Sequence, residues 1–228
     1  MARLAASSGT TDLVATPHAN PEYPFRPELI AQRAAELEAA TGGKPRLHTG
    51  CDFHLSFDNV QDAIENPTKY TINHGCYLLV EFSDLAIFHT TTDIFRRLMD
   101  AGMIPVITHP ERNALLQQRL ADIRSWVDSG CLLQVTAQSL TGRFGSRAKE
   151  FAGTLVSEGL VHVIASDGHD LKRRPPSLQS GREALAAGWG EEVAAALTVA
   201  NPKAIVESRP LPAAPAVRPR RKWFPFWS

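Results

Sequence analysis

Seven ionisable side chains lie late in, or directly after, runs of apolar residues in this sequence. They are His18, Asp52, His54, Glu81, His109, Asp167 and His169. Imidazole and carboxylate groups together suit zinc, manganese or iron, and bridging carboxylates allow two or three ions to share one site. A single histidine after a strand is more often a structural residue. The recurrence of the same residue types at several strand ends favours a metal site instead.

The segments that must position these side chains alternate between strand and helix patterns. The apolar runs predict strands at 11–18, 45–55, 77–82, 104–110, 131–137 and 161–167. Segments of helical period predict helices at 27–40, 91–102, 120–130 and 146–159. Such alternation is typical of a parallel sheet, either a barrel or a doubly wound fold. In a parallel barrel the carboxyl ends of all strands open onto one face, where the ionisable residues would meet.

Length, charge and cysteine content narrow the class of protein. With 228 residues, 43% of them hydrophobic, the chain is expected to form one domain with a sizeable core. Lysine plus arginine equals aspartate plus glutamate at 24 each, so no nucleic-acid partner is expected. Three cysteines without a CxxC pair argue against a disulfide framework. No apolar run reaches the roughly 20 residues of a membrane span, so a soluble, cytoplasmic protein is predicted.

Six motifs resemble a known family in the same order along the chain. They are ATPHAN, GCDFHL, YLLVEF, THPERN, LLQVTAQSLTGRFG and ASDGHDLKRRPP. The family consists of bacterial protein-tyrosine phosphatases of the PHP type (polymerase and histidinol phosphatase superfamily) from capsule and exopolysaccharide operons. The resemblance covers residues 1–207 and implies a distorted, TIM-like (β/α)₇ barrel. It also implies two or three divalent ions, commonly manganese, and hydrolysis of phosphotyrosine on a protein.

The resemblance assigns roles to individual residues. By motif position it implies metal ligation by His18, Asp52, Glu81, His109, Asp167 and His169. The family usually has Glu at the position of Asp52, and Asp is one methylene shorter. Arg112 and Arg174 match catalytic positions that contact phosphate, which a guanidinium binds well in a bidentate manner. Two further candidates come from the sequence alone. Arg143 is a candidate for substrate binding, and capping of the next helix is an equal alternative. His54 is a candidate to hydrogen-bond a metal ligand, since it points to the same face as Asp52.

One family segment has no counterpart in this sequence. The family begins with a strand that carries an HxH pair and an acidic DDG loop, and these supply ligands to one metal. We therefore expect a barrel that lacks its first strand and part of its first helix, with exposed strand edges. A start codon assigned too late, or a truncated gene, is the favoured explanation. If the chain is as given, weak or absent activity is expected.

The cysteines test a different phosphatase chemistry. A cysteine-dependent tyrosine phosphatase needs an Arg six positions after its nucleophilic Cys. The residues six positions after Cys51, Cys76 and Cys131 are Phe, Phe and Ala. The sequence therefore excludes that route and leaves a metal-dependent reaction.

The last segment and the partners complete the predictions. Residues 208–228 read as a Pro-rich tail outside the fold, ending in cations beside Trp223, Phe224, Phe226 and Trp227. This composition suits an anionic membrane surface, although a tail without a partner is equally compatible. The resemblance implies that the substrate is the tyrosine-rich tail of an autophosphorylating kinase of polysaccharide export. A catalytically impaired relative that binds the kinase or its phosphopeptide, or a small-molecule phosphoesterase such as a histidinol phosphatase, remains the alternative. The sequence leaves the oligomeric state open.

Overall fold

A computed structural model describes residues 1–217 of the chain. The strands are β1 Asp12–Ala15, β2 His18–Ala19, β3 Arg46–Thr49, β4 Asp52–His54, β5 Tyr77–Glu81, β6 Ile104–Thr108, β7 Leu132–Thr136 and β8 Val163–Ala165. The helices are α1 Ala2–Ser7, α2 Pro27–Thr41, α3 Phe57–Glu65, α4 Thr91–Asp100, α5 Leu120–Asp128, α6 Ala137–Leu140, α7 Ser146–Ser157, α8 Gln179–Trp189, α9 Glu191–Ala195 and α10 Asn201–Val206. A π-helical turn, Ala196–Ala200, joins α9 to α10.

All strand pairs among the described residues are parallel. Six strands form one sheet in the order β2, β4, β5, β6, β7, β8, and β1 pairs separately with β3. Most sequential strands of the large sheet are joined by a helix, as parallel connections require. The predicted α/β class with a parallel sheet is confirmed. Within residues 1–217 the large sheet has two edges, β2 and β8, and no closed barrel is found.

Two predicted strands each divide into two. The strand predicted at 11–18 becomes β1 and β2, and the strand predicted at 45–55 becomes β3 and β4. Gly50 lies at the second division, where a Cβ atom would stand 3.2–3.3 Å from Ile72, Thr16 and Val14. The backbone is therefore closely packed at this division, and a side chain at position 50 would force its neighbours apart.

The large sheet has one face toward the helices and one face with a polar margin. Phe53, Val80, Ile107, Val135 and Ile164 belong to the main buried cluster, which the helices cover. Their strand neighbours point the other way, because successive side chains of a strand alternate between faces. On that second face Val106 and Val163 form a smaller cluster with Ile205 of α10. Ionisable residues lie on the same face, nearer the carboxyl ends of the strands.

Part of the predicted tail packs against the folded body. The Tyr77 hydroxyl donates a hydrogen bond of 2.7 Å to the Arg209 carbonyl, and the Cys76 amide donates to the Ser208 hydroxyl at 2.8 Å. Leu211 packs against the smaller cluster, and Val217 against the main one. The predicted boundary after residue 207 therefore does not coincide with the end of the packed chain. The aromatic residues predicted to meet a membrane lie outside the described residues.

None of the helices within residues 1–217 is both long enough and apolar enough to cross a membrane.

Candidate active site

Strand register places the predicted site residues at the carboxyl ends of the strands of the large sheet. His18 is the register partner of Asp52 between β2 and β4, and His54 is the partner of Glu81 between β4 and β5. Register partners in parallel strands share a face, so these four side chains point to the same side. His109 follows β6 directly, and Asp167 follows β8 after one intervening residue. The expected convergence at the carboxyl ends is therefore observed.

The most compact group contains His18, Asp52 and Glu81. One ligand atom from each lies within 4.8 Å of the others. The Nδ1 atom of His18 is 3.2 Å from Asp52 Oδ2 and 3.3 Å from Glu81 Oε2. This nitrogen is buried and forms no aligned hydrogen bond within residues 1–217. A buried nitrogen between two carboxylates, aligned with neither, is the arrangement expected at a site built for a cation.

The crowding of these groups shifts their pKa values. The adjacent Asp52 carboxylate first, and then the Glu81 charge, raise the pKa of His18 to about 8 against the opposing effect of burial. Burial and then the Asp52 charge raise the pKa of Glu81 to about 7. Both shifts mean that the metal-free site retains protons at neutral pH. A divalent cation would displace those protons and neutralise the crowded carboxylates.

His109 extends the group at its far side. Its Nε2 atom is 3.5 Å from Glu81 Oε1, so Glu81 faces both histidines. Burial, and then the charge of Arg112, lowers the pKa of His109. The neutral imidazole is therefore favoured, which is the form that ligates a metal.

Asp167 is held by the two arginines that the resemblance assigned to phosphate. Arg112 and Arg174 each donate a hydrogen bond from a terminal nitrogen to Asp167 Oδ2. Burial alone would raise the pKa of Asp167, but the interaction with His109 first, and then the charge of Arg112, lower it. The Nε atom of Arg174 is buried and has no acceptor within residues 1–217. One N–H donor of this guanidinium thus remains for another anion.

The other candidates lie nearby but make different contacts. His169 Nδ1 is 3.0 Å from the backbone oxygen of Asp167, and its ring centroid is 6.3 Å from that of His18. Burial lowers the pKa of His54, which has no contact with an acidic side chain among the described ion pairs. Arg143 donates from Nε to the Arg173 carbonyl at 2.8 Å, so it ties two loops together.

Three residues beside the site were not predicted. Phe144 lies under Arg112, with 4.4 Å between the guanidinium carbon and the ring centroid. Tyr23 is 6.3 Å from His18 between ring centroids, on a turn held by Asn20. Glu111 is fully buried and accepts hydrogen bonds from the Thr136 amide and the Ser139 hydroxyl. Phe144 and Tyr23 do not belong to the residue types that ligate metals, so the metal-site pattern does not include them. The THPERN motif alone does not show that Glu111 is buried.

Two cavities in the described part of the chain differ in their lining. The smaller, about 110 Å³, is lined by Glu81, Asp84, Thr108, His109 and Arg112 and therefore adjoins the ionisable group. The larger, about 410 Å³, lies at the opposite end of the strands. Of the described residues that line the larger cavity, only His162 carries an imidazole or a carboxylate. The smaller cavity is the one with chemistry around it.

Two of the three cysteines are unsuited to nucleophilic attack. Cys51 and Cys131 are buried, and burial raises the pKa of the Cys131 thiol to about 12. Burial also raises the pKa of Cys51 well above its usual range. These thiols stay protonated at neutral pH, so they lack the thiolate that such chemistry needs.

Comparisons with known proteins agree on one group of relatives. Residues 1–207 match the family described as capsular polysaccharide synthesis, CpsB/CapC. The chain is 34% identical over 177 residues to the CapC protein of Staphylococcus aureus, covering 76% of this chain and 69% of the relative. It is 31% identical over 202 residues to the tyrosine-protein phosphatase YwqE of Bacillus subtilis, covering 87% and 79%.

A solved structure is similar over nearly the whole chain. It comes from work on YwqE of Bacillus subtilis and CpsB of Streptococcus pneumoniae, which are described as metal-dependent tyrosine phosphatases. The TM-score is 0.86 at 28% sequence identity, and the match covers 96% of this chain and 90% of the other.

Proposed function

The chain belongs to the capsular polysaccharide synthesis family CpsB/CapC, and from this premise we propose that it is a metal-dependent protein-tyrosine phosphatase. The observation that carries the proposal is that metal-ligating side chains and arginines meet at the carboxyl ends of the strands. Nitrogen and oxygen ligands for cations lie beside two arginines that can hold a phosphate. The names of the relatives support this function over a binding protein without activity or a small-molecule phosphoesterase.

The side chains fit divalent ions. His18, Asp52 and Glu81 would hold one ion, and His109 would join them through the far side of Glu81. Asp167 and His169 would contribute to a neighbouring ion, with two or three ions in all. The orphaned Nδ1 of His18 supports this assignment. The mixed nitrogen and oxygen donors suit manganese, zinc or iron, and we propose manganese from the family resemblance.

Each part of the site has a separate task in hydrolysis. Divalent ions, when bound, supply Lewis acidity to the phosphoryl oxygens and make water more acidic. Arg112 and Arg174 bind the phosphate and offset the negative charge that it carries into the site. Each guanidinium has five N–H donors, so both can contact Asp167 and a phosphate oxygen together. A tyrosinate leaving group has a solution pKa near 10, so it departs without an obligatory acid.

The proposal extends to a partner and a location. The substrate would be a phosphotyrosine protein, namely a bacterial tyrosine autokinase of polysaccharide export. Arg143, next to the two phosphate-binding arginines, would favour acidic residues around the phosphotyrosine. The enzyme would act in the cytoplasm, and the basic and aromatic residues after 217 would bring it to the inner face of the membrane. The proposed architecture is a distorted, TIM-like (β/α)₇ barrel.

Hydrolysis of a phosphotyrosine peptide by the chain tests the proposal. We expect weak turnover with added manganese, loss of that turnover with a chelator, and loss in Asp167→Ala. Asp93→Ala, which removes an exposed carboxylate of α4, is the matched control and should keep full activity. Preference for an alkyl over an aryl phosphate would support a small-molecule phosphoesterase. Peptide binding without turnover under any metal would replace the proposal with a binding protein.

A further inference from the structure

The two arginines proposed to bind phosphate share one aromatic neighbour. The guanidinium carbon of Arg112 is 4.4 Å from the Phe144 ring centroid, and that of Arg174 is 6.0 Å from it. A guanidinium within about 6 Å of a ring centroid is attracted by the ring quadrupole. We infer that Phe144 is a positioning residue that fixes both guanidinium groups for the phosphate of the substrate. The inference rests on the proposed function.

The arginines need such a support because they are close together and carry the same charge. Both donate to the same oxygen of Asp167, so one carboxylate balances two cations. Their side chains retain 22% and 25% exposure, which leaves room for movement. An arginine side chain has about 2 kcal/mol of rotamer entropy to lose when it is fixed. The ring attracts the face of a guanidinium and leaves its N–H edge free for a phosphate.

The loop that carries Phe144 is itself held in place. It lies between Gly142 and Gly145, whose φ angles of 87° and 92° are in the region that favours glycine. Arg143 donates to the backbone carbonyls of Lys172 and Arg173 at 3.2 and 2.8 Å. The loop of Phe144 is thus tied directly to the loop that supplies Arg174. The ring position is set before any substrate arrives.

The unused donor of Arg174 indicates which anion completes the arrangement. Its buried Nε atom lacks an acceptor within residues 1–217, and a buried donor without a partner costs about 1–3 kcal/mol. A phosphate oxygen would supply that acceptor. A guanidinium already held over Phe144 loses less side-chain freedom when it binds the phosphate, so the main effect of Phe144 should be on substrate affinity.

Steady-state kinetics of the manganese-loaded chain with a phosphotyrosine peptide test this inference. Phe144→Leu keeps apolar volume and removes the ring, and we expect KM to rise about five- to tenfold while kcat changes less than twofold. The inhibition constant of inorganic phosphate should rise by a similar factor. Phe144→Tyr keeps the ring and should behave as the unmodified chain. Phe151→Leu, a half-buried aromatic of α7 that packs on the main cluster, is the matched control.

A double-mutant cycle separates positioning from a general structural role. Because the ring contacts both arginines, Phe144→Leu should raise KM by a smaller factor in a chain that already carries Arg112→Gln than in the unmodified chain. Unchanged KM and phosphate inhibition in Phe144→Leu would overturn the inference, as would full additivity in the cycle. If the unmodified chain lacks turnover, the proposed function fails. The inference is then decided by calorimetry, because the dissociation constant of inorganic phosphate should change by the same factors in the Phe144 variants.

Discussion

Two of the proposed ligands have backbone conformations that side chains rarely adopt. The φ angle is 36° at His109 and 48° at Asp167, both in the left-handed region. Such conformations cost about 1–3 kcal/mol each and persist only when surrounding structure enforces them. Next to Asp167, Gly168 packs closely on Pro176, since a Cβ atom there would lie 2.9 Å from the proline. The backbone at these positions aims each side chain at the site.

Glu81 should make the metal-free protein less stable as the pH rises. Its pKa is raised from 4.5 to about 7, so the folded state holds a proton that the unfolded chain releases. Stability is therefore lost as the pH rises from about 5 to 8, by roughly 2–3 kcal/mol. The raised pKa of His18, about 8, has the same sign. Urea unfolding of the chelated protein at several pH values measures this slope.

Replacing Glu81 with Gln should raise the stability of the metal-free protein at high pH and weaken metal binding. Glu81→Gln removes the titration, so the metal-free variant should exceed the unmodified chain in stability at pH 8. Changes to residues that support a metal ligand usually weaken metal binding about 10–100-fold. Because Glu81 is itself a proposed ligand, Glu81→Gln should weaken manganese binding by more than that. Glu192→Gln, on the exposed face of α9, is the control. Equal pH slopes in the Glu81 variant and the unmodified chain would contradict the assignment.

The pairing of β1 with β3 depends on one carboxylate. Asp12 contacts His48 at 3.0 Å and Arg46 at 2.9 Å across the two strands. Although burial opposes it, the bond to His48, followed by that to Arg46, lowers the pKa of Asp12 to about 2. Asp12 therefore adds stability above pH 4 that is lost as the pH falls through 2.

Asp12→Asn should lower the free energy of unfolding at pH 7 by about 1 kcal/mol, because water partly screens the pair. The difference from the unmodified chain should shrink toward pH 2, where Asp12 itself is protonated. Denaturant titrations at pH 7, 4 and 2.5 measure it, with Asp93→Asn as an exposed control. A difference that stays constant across this range would show that charge is not its cause.

Two glycines of α8 should respond in opposite directions to the same substitution. A Cβ atom at Gly181 would lie 2.6–2.8 Å from the backbone and side chain of Ala137 in α6. A Cβ atom at Gly188 would meet nothing within 4 Å. We expect Gly181→Ala to destabilise the protein by about 2–3 kcal/mol through overpacking. Gly188→Ala should stabilise it by about 0.5–1 kcal/mol through helix propensity.

Thermal unfolding of both alanine variants compares them directly. Because the helix and the substitution are the same, propensity is matched and only the contact with α6 differs. Destabilisation of equal size at both positions would mean that α8 does not pack on α6 as described.

The sequence predicts the elements of this fold better than their junctions. Alternating apolar residues and terminal glycines identify β5 to β8 and the helices α4, α5 and α7 within a few residues. The strand-end rule also brings His18, Asp52 and Glu81 together, because parallel strands share a carboxyl edge. The division at Gly50 depends on distant side chains such as Ile72, and the contact of Phe144 with Arg112 depends on two loops. Local patterns carry no information on such contacts.

At the scale of the whole molecule, residues 1–217 contain two apolar clusters, and the second depends on residues that follow α10. The cluster around Val106 and Val163 is completed by Ile205 and by Leu211, which lies beyond the predicted end of the domain. Residues 208–217 cross the amino ends of the strands, opposite the candidate active site, and line the larger cavity. Residues 208–217 thus form a strap across the amino ends of the strands, and the role of this strap is expected to be structural.

Truncation tests this strap at the scale of the molecule. A chain ending at Glu207 loses the hydrogen bonds from Tyr77 to Arg209 and from Cys76 to Ser208, and the apolar contacts of Leu211 and Val217. We expect it to be less stable by about 2–4 kcal/mol, from two hydrogen bonds and two half-buried side chains. A chain ending at Val217 keeps all of these contacts and is the reference for denaturant unfolding. Since the strap is remote from Asp167, kcat at a temperature where all three chains are folded should be unchanged. Equal stability of the two truncated chains would show that the strap adds nothing to the fold, and a selective loss of kcat in the shorter one would show that the two ends of the strands are coupled.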